Sequence, residues 1–109
     1  MAREYTDETI EMLAARFKAL AEPMRLRLLN VLRRGEKTVG ELVEATGAGQ
    51  ANVSKHLGLL YRQGVVARRK EGLNVYYRIA DEGIFELCEL VCDSLEAQLD
   101  ERRRALGRR

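Results

Sequence analysis

The sequence predicts a mainly α-helical fold with one small β-hairpin, and three observations lead to this prediction. Apolar residues recur at helical spacing near both ends of the chain. In the middle, within residues 38–63, a glycine-bearing turn separates two short helical segments. Residues 65–79 then contain two β-prone runs around a short turn with a glycine, which is typical of a hairpin.

The first helix is expected to begin after Thr6 or Asp7, because either side chain can cap a helix. Four residues form its apolar stripe: Ile10, Leu13, Phe17 and Leu20. The Glu22-Pro23 pair then interrupts the pattern, and proline suits the first position of a second helix. That second helix is expected to end near Gly35.

Residues 38–63 are expected to form a helix-turn-helix. Thr38 can cap a short third helix, and the Gly47-Ala48-Gly49 segment can make the turn. A fourth helix is predicted from about Gln50 to Gln63. Its apolar face carries Val53, Leu57 and Leu60, so its opposite face is left free to contact a partner.

The hairpin and a long last helix complete the predicted architecture. In the hairpin, strand alternation sends Arg68 and Lys70 to one face and Arg69 to the other. Asp81 can cap a last helix over residues 82–104. Its apolar stripe comprises Ile84, Phe85, Cys88, Val91, Cys92, Leu95 and Leu99. This order predicts a single winged helix-turn-helix domain over residues 1–109, with residues 65–79 as the wing.

The apolar stripes of the first and last helices exceed what a small core needs. We therefore expect these two helices to form the interface of a homodimer. No apolar run approaches the roughly 18 residues that a membrane-spanning helix requires. No secretory signal is evident at the N-terminus, so a cytoplasmic location without membrane association is expected. In that compartment the two cysteines are expected to be free thiols.

Charge is distributed unevenly along the chain. The formal net charge is only +2. Residues 50–79, however, contain six basic residues and one acidic residue. Basic charge therefore coincides with the fourth helix and the wing, which suits a polyanionic partner. The alternative is that these charges only keep the surface solvated.

The exposed face of the fourth helix carries groups that can bind base edges and phosphates. The candidates are Gln50, Ala51, Asn52, Ser54, Lys55 and His56. Glutamine and asparagine can each form paired hydrogen bonds with adenine, and an alanine can touch a thymine methyl group. On the wing, the candidates are Arg68, Arg69, Lys70 and Asn74. A basic wing can lie on the phosphate backbone or in the adjacent minor groove, although a charged edge hairpin can also serve solubility alone.

Four segments of this chain resemble the ArsR/SmtB family of winged-helix transcriptional repressors. They are FKALAEPMRLRLLNVL (Phe17–Leu32), TVGELVEATG (Thr38–Gly47), ANVSKHLGLLYRQGVVARRKEG (Ala51–Gly72) and VYYRI (Val75–Ile79). The resemblance covers nearly the whole chain. It implies a homodimeric repressor on a near-palindromic double-stranded DNA operator, from which an effector releases it.

Cys88 and Cys92 are the candidate effector site, since four residues on a helix bring both sulfurs to one face. Thiolates favour arsenic(III), Zn(II), Cd(II) or Cu(I), and two pairs could meet across a dimer axis. The same thiols could instead sense oxidants or reactive sulfur, or could only pack in an apolar stripe. The third helix has no cysteine and the last helix has no histidine, so ligand sets of some relatives are missing.

Two other classes of function compete with DNA binding. No glycine-rich phosphate loop, Ser/His/Asp set or His-Glu metal motif occurs, so an enzyme is not expected. A winged-helix module that binds a protein instead of DNA is the remaining alternative. Such a module would not require basic residues on the fourth helix.

Overall fold

The computed structural model describes residues 3–107, which form helices and a small antiparallel sheet in the predicted order. The elements are α1 (Asp7–Leu20), α2 (Pro23–Leu32), β1 (Lys37–Thr38), α3 (Val39–Thr46), α4 (Gln50–Arg62), β2 (Val66–Glu71), β3 (Asn74–Ile79) and α5 (Gly83–Gly107). The mainly α-helical, winged helix-turn-helix architecture is therefore confirmed. The first two and last two residues of the predicted 1–109 domain lie outside the described residues.

The starts of α1 and α3 are capped by the local side chains that the sequence indicated. The hydroxyl of Thr6 accepts a 3.1 Å hydrogen bond from the backbone N–H of Thr9. At α3, the Thr38 hydroxyl accepts from the Glu41 N–H at 3.2 Å, and the Glu41 carboxylate accepts from the Thr38 N–H at 2.8 Å. The hydrogen bond from the Thr38 N–H, followed by one that the Thr38 hydroxyl donates to the same carboxylate at 3.2 Å, lowers the pKa of Glu41.

Glycine is required at the two turns that place the candidate DNA-binding elements. Gly47 ends α3 with φ of +73°, in the left-handed region that side chains with a Cβ adopt at a cost. Gly72 has φ of +63° at the first position of the two-residue loop between β2 and β3. This geometry matches the tight hairpin turns that preserve strand twist.

The sheet has one strand more than the sequence analysis predicted. Strand β1 pairs with β3, with Lys37 opposite Tyr77 and Thr38 opposite Tyr76, so the strand order is β1-β3-β2. A strand of two residues is too short to show an alternating pattern. It forms because the outer edge of β3 offers hydrogen-bonding groups to the segment that enters α3.

The hydrophobic core lies between α2, α3, α4 and the sheet. The predicted apolar face of α4 is confirmed, since Val53, Leu57 and Leu60 are fully buried. They pack with residues from each neighbouring element: Leu28, Leu29, Leu32, Leu42, Val65, Val66, Tyr77 and Ile84. Because α4 is buried along one side, its orientation relative to the wing is set by core packing.

The apolar stripes of α1 and α5 are mostly uncovered in the protomer. In α1 only Leu20 of the predicted stripe is buried, and Phe17 remains 51% exposed. In α5 only Ile84 is buried, whereas Leu95 is 55% exposed. The radius of gyration is 17.4 Å, against about 13 Å for a compact chain of this length. The second half of α5 therefore projects from the body with its apolar stripe exposed.

Candidate DNA interface and cysteine site

The N-terminal half of α4 presents a polar surface to solvent. Five of the predicted contact residues are exposed there: Gln50, Ala51, Asn52, Ser54 and Lys55. The residue before the helix, Gly49, provides no side-chain cap, so the first backbone N–H groups also remain available. This surface combines hydrogen-bond donors, acceptors and one positive charge on a helix whose other side is anchored in the core.

His56 was expected on or near that exposed face, but its side chain is largely covered, and its contact with DNA stays a prediction. Its side chain is only 13% exposed. Its Nδ1 atom lies 3.0 Å from Nη1 of Arg25 and 3.5 Å from Oε2 of Glu22. Position 56 borders the apolar face of α4, and the partners that draw the ring inward come from a segment about thirty residues earlier in the chain.

The wing displays its basic side chains on opposite faces, as the alternation of the strand predicts. Arg68 is paired across the strands with Tyr77, and Lys70 with Val75. The guanidinium of Arg68 lies 3.9 Å from the ring centre of Tyr61, at the C-terminal end of α4. This cation–π contact holds Arg68 beside α4, and Arg68 as a whole remains exposed. Sequence reasoning missed the role of Tyr61.

Arg69, on the other face of the wing, is not a free cation. Its Nη2 and Nε atoms donate to the Glu36 carboxylate at 2.7 and 2.9 Å, and Nη1 donates to Glu71 at 3.3 Å. Hydrogen bonding to Arg69 lowers the pKa of Glu36, and the two carboxylates raise the pKa of Arg69. Arg69 is thus paired within the protein, and its role as a DNA contact stays a prediction. Asn74, the last predicted contact, is exposed beside the turn.

The two cysteines are accessible in the protomer. Cys88 is half-buried and Cys92 is exposed. Both line an apolar groove between α1 and α5 whose walls include Phe17, Val91 and Leu95. The Cys92 thiol donates to a carboxylate oxygen of Glu96 at 3.7 Å, and the negative charge of Glu96 is the largest cause of its raised pKa.

A metal site is incomplete within one protomer. Among residues 3–107, no three histidine, cysteine, aspartate or glutamate side chains lie together in a way that could hold a metal ion. The pair Cys88 and Cys92 thus offers at most two thiolates to a soft cation. Four-coordinate binding of such an ion would need ligands from a second copy or from solvent.

None of the helices within the described part of the chain is both long enough and apolar enough to span a membrane.

The helix-turn-helix formed by α3 and α4, followed by a basic wing, places the protein in the winged helix-turn-helix class. Comparison with known proteins identifies the family: the profile of bacterial regulatory proteins of the arsR family matches residues 22–68. A homodimeric winged helix-turn-helix DNA-binding domain from Mycobacterium bovis is 34% identical with a TM-score of 0.75. That alignment covers 93% of this chain and 95% of the other. The protein belongs to the ArsR family.

Two of the similar proteins with functional names are repressors. A probable mercury resistance operon repressor of Streptomyces lividans is 42% identical over 74 residues, which are 68% of this chain and 59% of the relative. An SmtB transcriptional repressor homologue of Synechocystis is 40% identical over 86 residues, which are 79% of this chain and 65% of the relative. The chain thus spans somewhat less than two thirds of their lengths. The fold and the relatives are those of DNA-binding transcriptional regulators and not of enzymes.

Proposed function

We propose that this protein is a homodimeric repressor that binds operator DNA through α4 and the wing and leaves it when an effector binds. One observation carries the proposal. Five exposed residues of α4 form a surface suited to base edges and phosphates, while the opposite side of the same helix is completely buried. Packing therefore pre-organises the reading surface, so little ordering is needed when DNA binds.

The chemistry of α4 assigns different tasks to its exposed side chains. Gln50 and Asn52 can each form paired hydrogen bonds with the N6 and N7 atoms of an adenine in the major groove, and Ala51 can contact a thymine methyl group. Ser54 and Lys55 suit phosphate oxygens. In this proposal Gln50 and Asn52 specify the DNA sequence, and Ser54 and Lys55 fix the position of the helix.

The wing supplies phosphate contacts beside α4. Arg68 and Lys70 share the face that adjoins α4, and Asn74 lies at the turn. Arg69 could contact DNA only by giving up its ion pair with Glu36, so it contributes least. A wing placed in this way tracks the backbone or the minor groove next to the major groove that α4 enters.

Dimerisation is supported by the exposed stripes of α1 and α5. Side chains such as Phe17, Val91 and Leu95 line one continuous apolar groove between these helices. An uncovered surface of this kind on a soluble domain is typical of a protein–protein interface. The M. bovis relative is homodimeric. A twofold axis would pair two reading helices with two related half-sites.

The DNA-binding proposal is tested on the promoter region upstream of the gene for this protein. We expect binding that weakens steeply with salt. Each lost phosphate contact removes about 0.9 from the slope of log affinity against log salt. The Arg68→Ala/Lys70→Ala variant should therefore show a slope shallower by about 2 and an affinity lower by roughly tenfold. Fluorescence anisotropy at several salt concentrations measures both quantities.

The matched control is Arg102→Ala/Arg104→Ala, which removes two exposed charges from the far end of α5. It should bind like the wild type. Absent or salt-independent binding by the wild type would refute the proposal and favour a winged-helix module that binds protein.

We propose that the effector engages Cys88 and Cys92 and that a thiophilic metal or metalloid ion, such as arsenic(III), Zn(II) or Cd(II), is favoured. The acidic neighbours Glu89, Asp93 and Glu96 raise the pKa of Cys92. A higher pKa lowers the population of thiolate, which disfavours reaction with oxidants or persulfides. A bound Zn(II) or Cd(II) ion takes the place of the thiol proton and is attracted by the same acidic side chains. The names of the S. lividans and Synechocystis relatives are consistent with a metal effector.

Titration of the preformed DNA complex tests the effector proposal. We expect arsenite, Zn(II) or Cd(II) to release wild-type protein, a persulfide donor to act weakly, and the Cys88→Ser/Cys92→Ser variant to stay bound. Anisotropy of labelled operator follows the release. If the double variant responds like the wild type, the cysteines only pack in the apolar groove and the effector acts elsewhere.

A further inference from the structure

A polar cluster connects the corner between α1 and α2 to the reading helix α4. The Nε atom of Arg25 donates to the carbonyl oxygen of Ala19 at 2.6 Å, and its Nη2 donates to that of Lys18 at 3.3 Å. Its Nη1 lies 3.0 Å from Nδ1 of His56 on α4. A single guanidinium therefore caps the last turn of α1 and also contacts the side of α4.

Glu22 completes the cluster from the opposite side. Its two carboxylate oxygens accept hydrogen bonds from the backbone N–H groups of Met24, at 3.2 Å, and Arg25, at 3.3 Å, and so cap the start of α2. One of these oxygens is also 3.5 Å from His56 Nδ1. Among the described residues, Glu22 and Arg25 are the charged groups within bonding distance of the imidazole.

The contact with Arg25 constrains the imidazole of His56. A guanidinium has only donors, so a hydrogen bond with Arg25 requires Nδ1 of His56 to accept. A ring that accepts this bond carries its proton on Nε2. Protonation of Nδ1 would remove the acceptor and would place two cations side by side. Glu22 lies farther from Nδ1, at 3.5 Å, than Arg25 does, at 3.0 Å, so the contact with Arg25 is the closer of the two.

The cluster lies between the two parts of the molecule that must act together. Lys18 follows directly after Phe17, which belongs to the exposed stripe of α1. His56 is one turn of helix after Asn52, which is proposed to read a base. A shift of α1 can therefore be transmitted through Arg25 to the reading surface. Among the described residues, the contact between Arg25 and His56 is the side-chain hydrogen bond that joins α4 to α1 or α2. Apolar packing in the core adds to this contact.

We propose that Arg25 and His56 are positioning residues that hold α4 in its DNA-binding orientation relative to α1, and that this orientation requires a neutral His56. The inference rests on the proposed DNA-binding function. The two possible roles of His56 predict opposite effects of its protonation on DNA affinity. A histidine in contact with a phosphate would raise the affinity when protonated, whereas a positioning histidine would lower it.

The chain contains one histidine, so the imidazole signals of the full-length protein are unambiguous. Two-bond proton–nitrogen correlation NMR at about pH 8 should show the Nε2–H form in the wild type. Arg25→Lys should lose the hydrogen bond accepted at Nδ1, seen as a downfield move of the Nδ1 signal, because an ammonium cannot bond to α1 and His56 with the same planar geometry. The matched control Arg34→Lys, an exposed position just after α2, should keep it. A wild-type ring with its proton on Nδ1 overturns the proposal.

Operator affinity is then measured at about pH 8 and about pH 5.5, which brackets the usual titration of histidine. The wild type should lose about tenfold in affinity on acidification, the scale of one lost charge-assisted hydrogen bond. His56→Gln should show little change with pH, because its amide oxygen can accept from Arg25 at both values. Rising wild-type affinity, or an equal loss in the glutamine variant, overturns the proposal.

The two proposals fail in distinguishable ways. If the wild type binds no DNA at either pH, the proposed function fails. The NMR comparison of wild type, Arg25→Lys and Arg34→Lys still decides whether Arg25 holds His56 in its neutral form.

Discussion

Replacing Leu95 with aspartate is expected to convert the dimer into monomers and to lower operator affinity by about three orders of magnitude, toward the level of non-specific binding. Leu95 is half-exposed in the protomer and lines the groove between α1 and α5. In a dimer it would be buried, and an unpaired carboxylate in such an interface is strongly unfavourable. A monomer offers one reading helix to one half-site and loses the second set of contacts.

Sedimentation equilibrium and operator binding measure the two parts of this prediction. Leu90→Asp is the matched control, because it places the same side chain on another face of α5. Position 90 lies about 140° around the helix from position 95. It is exposed and does not line the groove. We expect it to remain dimeric and to bind DNA. Monomeric wild-type protein, or a dimeric Leu95→Asp variant, would show that this groove is not the dimer interface.

The Gln50→Ala/Asn52→Ala variant is expected to lose about a hundredfold or more in affinity for the operator while keeping its non-specific affinity. A paired hydrogen bond between a side chain and a base edge contributes roughly 1–3 kcal/mol of discrimination, and two such contacts are removed. Both side chains are exposed on α4, so their truncation leaves the core intact. The thermal midpoint should change little, which circular dichroism can verify.

Comparison of the operator with a shuffled duplex of equal length separates specificity from general affinity. Lys55→Ala, at an exposed position of the same helix, is the contrasting variant. A lost phosphate contact should weaken binding to both duplexes equally. If Gln50→Ala/Asn52→Ala behaves in that uniform way, α4 does not read bases through these residues.

Much of the fold was predictable because its signals are local. The spacing of Val53, Leu57 and Leu60 indicates which side of α4 is buried, since helix geometry alone brings those positions together. Thr38 and Glu41 are three residues apart, so their capping box requires no information beyond the segment itself. The alternation of Arg68 and Arg69 across the wing follows equally from strand geometry.

Other features depended on partners that are distant in the chain. His56 was predicted to be exposed, yet Arg25 and Glu22, on an earlier helix corner, draw its ring inward. Arg69 was predicted as a DNA contact, yet Glu36 pairs with it from 33 residues away. Position 56 lies at the boundary of the apolar face, where helical periodicity alone does not decide between exposure and burial.

The sequence by itself determined the order of the helices, the buried side of the reading helix, the wing and the uncovered apolar stripes of the two terminal helices. Each of these depends on residues within a few turns of one another. Only the tertiary structure decided which polar side chains remain available, because a charge is free or paired according to what another segment places beside it. It therefore separated Lys55, Arg68 and Lys70, which stay accessible, from His56 and Arg69, which other parts of the chain engage.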